Sequence, residues 1–61
     1  SMKVGDIVLA ADARTLKYKV GVIVEEMDLA ENAKPFGMSC WMILVDGKVG
    51  QYTDAAIRRM K

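Results

Sequence analysis

A chain of 61 residues holds one small domain and one core, and folding buries only about 60% of the surface that the unfolded chain exposes, so it depends on an efficient core or on a partner. One Cys excludes an intrachain disulfide, and the absence of His leaves no side-chain set for a metal site. A net charge of +1 lacks the domain-wide basic excess of the usual nucleic-acid binder, and the longest apolar run, 40–45, is far short of the roughly 20 residues that span a bilayer.

The segment Lys3-Val4-Gly5-Asp6 is expected to turn into a first strand over 7–10, Ile-Val-Leu-Ala. Asp6 can accept bonds from nearby backbone N–H groups, and the β-branched Ile7 and Val8 favour strand over helix. Ser1 before Met2 has the look of an expression scar, so the domain is taken as 2–61, and no apolar run near the start suits a signal peptide. Residues 11–18 show no apolar period and are expected to form a surface loop.

A long strand is expected over 19–27. Val20, Val22 and Val24 share one side, apolar throughout, and Gly21, Ile23, Glu25 and Met27 share the other, which is mixed. Gly21 inside the strand points to a bulge, a sharp bend or a close backbone approach. The interruption at 28–37 carries Asp28 and Glu31 at the spacing of a capping-box variant, and Pro35 ends any helical turn there.

Residues 38–52 carry the clearest local signal. Asp46-Gly47 between two apolar runs predicts a hairpin with a two-residue type I′ turn, which needs φ > 0 at both central positions. Thr53 is expected to cap a single helical turn over 53–56, followed by a short last strand over 57–60. The fold class is therefore all-β, with five antiparallel strands and one short helical turn before the last.

The order and spacing of these pieces resemble the small SH3-like β-barrel. Lys3-Val4-Gly5-Asp6-Ile7-Val8 looks like the "K-x-G-D-x-V" opening of many such domains, and Gly21-Val22-Ile23-Val24-Glu25 looks like their "G-x-V-V-E" second strand. Val45-Asp46-Gly47-Lys48-Val49-Gly50-Gln51-Tyr52 looks like the "S-D-G-x-x-x-x-Y" hairpin of short SH3-like proteins encoded by tailed bacteriophages. The resemblance covers nearly the whole chain. It implies a five-stranded barrel and names no activity, because function does not follow from a fold used this widely.

The side-chain inventory argues against catalysis. There is no His to serve as general base or to activate Cys40, and Cys40 lies in a strand beside Trp41. Glu25 and Glu26 are adjacent on a strand and so point to opposite faces. Asp46 belongs to the turn, and no strand-to-helix glycine loop is present to cradle a phosphate. No cofactor is therefore expected. A proline-rich-peptide groove needs several aromatics flanked by acids, and Tyr18, Phe36, Trp41 and Tyr52 lack the paired tryptophans of such sites.

Two binding roles remain. The first strand of the hairpin is apolar on both faces: Trp41, Ile43 and Val45 on one, Cys40, Met42 and Leu44 on the other. A half-solvated antiparallel strand should alternate apolar with polar, so one face is surplus. We assign Trp41, Ile43 and Val45 to the core. We expect Cys40, Met42 and Leu44, with Phe36 and Met38, to contact a protein partner or a second copy, unless the 28–37 segment covers them. In the alternative, Arg14, Lys17, Tyr18 and Lys19, extended by Lys48, Arg58 and Arg59, form a nucleic-acid patch of the Tudor or ribosomal type. No membrane or metal partner is expected. The lone thiol and the missing targeting segment suit a cytoplasmic protein, in the host cytoplasm or the virion if phage-encoded.

Overall fold

The computed structural model describes residues 1–27 and 39–60. The strands are β1 (Ile7–Ala11), β2 (Tyr18–Met27), β3 (Cys40–Val45), β4 (Lys48–Thr53) and β5 (Ile57–Arg59), with a 3₁₀ turn over Asp54–Ala56 before the last. All pairings are antiparallel, in the spatial order β4-β3-β2-β1-β5. This all-β, five-stranded arrangement is compatible with an SH3-like fold. The helical turn expected from Asp28 and Glu31, and any cover supplied by 28–37, fall outside the described residues, as do Phe36 and Met38.

The hairpin turn follows from its two residues. Asp46 has φ 50 and Gly47 φ 75, the pair of positive values that a type I′ turn requires, and Val45 and Lys48 pair directly across it. The expected cap at Thr53 is not made. Thr53 occupies the N-cap position in extended conformation, but its hydroxyl makes no cap bond. The turn is held instead by the Asp54 N–H donating to the Ser39 carbonyl at 3.1 Å and by the Trp41 indole Nε1–H donating to the Asp54 carboxylate at 3.2 Å.

At the chain start, the Lys3 N–H and ammonium both donate to the Asp6 carboxylate at 3.1 Å. The Ile23 N–H donates to the Asp6 carbonyl and the Gly5 N–H to the Ile23 carbonyl, so the opening turn is tied to the middle of β2. In the 12–17 loop, Asp12 is the organiser. Its carboxylate accepts from the N–H groups of Arg14 at 2.7 Å and Thr15 at 3.2 Å, and its carbonyl accepts from Leu16 at 2.8 Å. This Asx arrangement closes the loop and leaves Leu16 at φ 59 in the left-handed region.

The core is formed by Val8, Ala10, Ile23, Trp41, Ile43 and Ile57, with Met2, Val45 and Tyr52 packed against it. On β2 the sequence pattern alone leaves the core side open. The core side is the mixed one, carrying Gly21 and Ile23, and the all-valine side faces outward, with Val20 and Val24 exposed and Val22 half-buried. Gly21 explains the choice. A Cβ there would lie 2.7 Å from Cγ2 of both Ile43 and Val45 and 2.9 Å from the Leu44 carbonyl oxygen. The missing side chain is what lets β3 settle onto β2, so the glycine serves close approach.

The bulge lies three residues further on. Ile23 pairs with Ile43, but Glu25, and not Val24, is opposite Met42. The extra residue at Val24 shifts the pleat by one, which puts Glu25 on the outer face; an unbroken register would have turned it inward beside Trp41.

Candidate interaction surface

Alternation along each strand sends every second side chain away from the core. Across the sheet, the register then lines up four of those outward residues: Ile7 is opposite Val22, Val22 opposite Leu44, and Leu44 opposite Val49. The result is a continuous aliphatic row across β1, β2, β3 and β4. Ile7 is 57% exposed, Val49 54% and Leu44 39%, with Val22 half-buried between them. Val20, 56% exposed, and half-buried Leu9 extend the row on one side, and half-buried Met42 extends it on the other.

The rim is charged and polar. Glu25 stands opposite Met42, with Gln51 on the far side of Met42. Arg58 stands opposite Leu9 on the other flank. Its Nε–H donates to the Tyr18 hydroxyl at 2.9 Å, and its guanidinium lies 5.2 Å from the centre of the Tyr18 ring. These two contacts hold the Arg58 side chain down along the outer face.

Of the residues expected at an interface, Leu44 and Met42 lie on this outer row. Cys40 is corrected: it is 4% exposed and offers almost no surface, and the Gln51 side-chain amide lies 3.8 Å from its sulfur. Ile7, Val20 and Val49 were not singled out in the sequence. Their signal is the register itself, which follows only once Asp46-Gly47 fixes one hairpin and Gly21 fixes the core side of β2.

The basic residues proposed for nucleic acid do not form one field. Arg14, Lys19 and Lys48 line one open depression of about 380 Å³ together with Asp12 and Asp46. Arg14 approaches Asp12 at 3.8 Å, and the Lys19 ammonium donates to Asp46 at 2.8 Å. That bond with Asp46 holds Lys19 above its ordinary pKa, and backbone donation from Arg14 and then Thr15 holds Asp12 below its own. The Lys3 side chain, then its backbone N–H, likewise lowers Asp6. Arg59 lines a separate depression with Lys3 and Asp6, Arg58 is engaged by Tyr18, and Lys17 sits in the 12–17 loop, its N–H donating to the Thr15 hydroxyl. Arg14 and Lys19 are thus paired with aspartates and Arg58 with an aromatic, each at a separate place on the surface.

Among the described residues, no three of His, Cys, Asp and Glu converge closely enough to hold a metal ion, and no helix is long and apolar enough to cross a membrane. No family model, curated protein or solved structure matches this chain.

Proposed function

We propose that this chain is a non-enzymatic protein-interaction module built on an SH3-like barrel, with the outer face of the sheet as its docking surface. The observation that carries this reading is the Ile7–Val22–Leu44–Val49 row, four aliphatic side chains in direct cross-strand register on the side away from the core. Solvent-facing sheet positions ordinarily carry polar residues, and an exposed contiguous apolar patch marks a contact surface. The resemblance of the opening turn and the Asp-Gly hairpin to short phage proteins supports an accessory role in a phage, in the host cytoplasm or the virion.

Carbene footprinting tests the docking surface. Labelling at Leu44 and Val49 is expected to fall as the protein's own concentration rises or when extract of its source cells is added, and Leu44→Asp is expected to abolish that protection. Unchanged labelling under both conditions would overturn the reading. Retention of single-stranded oligonucleotides that weakens steeply with salt, through Arg14 and Lys19, would favour nucleic-acid binding instead.

A further inference from the structure

Resting on the outer face as a docking surface, we infer that its occupant is a second copy of this chain, packed face to face about a two-fold axis passing close to Ile7, with Glu25 of each copy against Arg58 of the other. The layout of the face carries this. Strands lie about 4.8 Å apart and two residues advance about 6.8 Å along a strand. Counted from the Ile7–Val22–Leu44–Val49 row, Glu25 lies one step to one side on β2. Arg58 lies one step to the opposite side on β5, two strands away. On that lattice the midpoint between Glu25 and Arg58 falls at Ile7 on β1.

A two-fold axis in the plane between two such faces exchanges the acid and the base, so one rotation forms two Glu25–Arg58 contacts. The same rotation brings Leu44 onto Val20 and Leu9 of the other copy and Val49 onto its Tyr18. The strands of the two copies then cross near 70° on the flat lattice, close to the orthogonal mode of sheet packing. The face is thus its own complement in charge, and its aliphatic residues meet one another, as an isologous interface requires. Arg58 is prepared for the role: the bond to Tyr18 uses one of its five N–H donors and holds the guanidinium along the sheet.

The exposed aliphatic surface amounts to on the order of 400 Å² per copy, about half the roughly 800 Å² of a standard interface, which puts the contact in the small, transient class.

Sedimentation velocity from 10 µM to 1 mM tests this, with circular dichroism to confirm that each variant folds. The mass of the wild-type chain is expected to rise toward twice that of the monomer. Glu25→Arg alone and Arg58→Glu alone are each expected to weaken association by about tenfold or more, because each places like charges together at both contacts. An equimolar mixture of the two variants is expected to regain wild-type association, since every contact in the mixed dimer again pairs opposite charges. A wild-type chain that stays monomeric at 1 mM overturns this inference, and the docking surface itself then stands or falls on the extract footprint. A dimer that persists in Leu44→Asp overturns both. A Leu44-dependent dimer that the mixture fails to restore overturns the two-fold arrangement.

Discussion

Ile43 and Leu44 are neighbours on β3 with side chains of the same atoms, yet Ile43 is fully buried and Leu44 is 39% exposed. The same contrast holds across the sheet. Val8 and Ile23 face inward with Ile43, whereas Ile7, Val22 and Val49 face outward with Leu44. Hydrophobicity does not separate the two sets. The pleat does, together with Gly21, which lets β3 close onto one side of β2 and leaves the other side to the surface. One face stabilises the fold, and the other is left at the surface.

Substitutions in pairs test that division most directly. Ile43→Ala leaves a cavity in the core and is expected to destabilise by about 3–4 kcal/mol, against under about 1 kcal/mol for Leu44→Ala, read from urea unfolding midpoints. Equal losses at the two positions would mean that the outer face is also core. Gly21→Ala is next: the new methyl meets the Leu44 carbonyl, which is backbone and cannot swing aside, so a loss of about 2–3 kcal/mol is expected. Its neighbour Val20→Ala, on the outer face, is expected to change the melting temperature far less.

Off both faces, Leu16→Gly relieves the left-handed backbone in the 12–17 loop. The gain is expected to be only about 0.5 kcal/mol, because glycine also loosens the unfolded chain. A loss there would place Leu16 in a contact that its exposure of 76% denies.

The pH dependence is expected to be weakest, because its groups are exposed. Asp6 and Asp12 are held below their ordinary 3.8, so they bind protons less readily folded than unfolded. The stability they contribute is complete above that value and is lost as pH falls through their lower folded values. Lys19 is held above 10.5, so its contribution is complete below that value and is lost as pH rises through the higher folded one. Thermal melts are expected to be flat between these limits. Asp12→Asn, which keeps the oxygen that accepts from Arg14 and Thr15, is expected to flatten part of the acid limb.

Much of the fold was legible because its signals are local. Asp46-Gly47 specifies its turn locally, and the β-branched run Val22-Ile23-Val24 after Gly21 favours a strand. The sides of β2 were harder to read. Val20, Val22 and Val24 look like core in composition, and Gly21 shows its purpose only against Ile43 and Val45, more than twenty residues away. The bulge at Val24 leaves no mark in composition at all. For the surface, Leu44 and Met42 could be chosen from the hairpin alone, whereas Ile7 and Val49 join them only through pairings between strands. Asp12 was visible as a loop residue, but its three accepted bonds depend on the path of the loop.

The pairing of β1 with β5 has a consequence for how the chain assembles. Three of the four strand pairings join consecutive strands and can zip up from hairpins, but Val8 meets Arg59 only by closing nearly the whole chain into a loop. That step is expected to come late and to limit the folding rate. It also leaves β1 and β5 side by side, so a short peptide could join residues 2 and 60 while new ends are opened in the exposed 13–16 loop. Such a circular permutant would turn that closure into a local β5–β1 hairpin, keep both faces of the sheet, and pass the late whole-chain closure to the β1–β2 pairing.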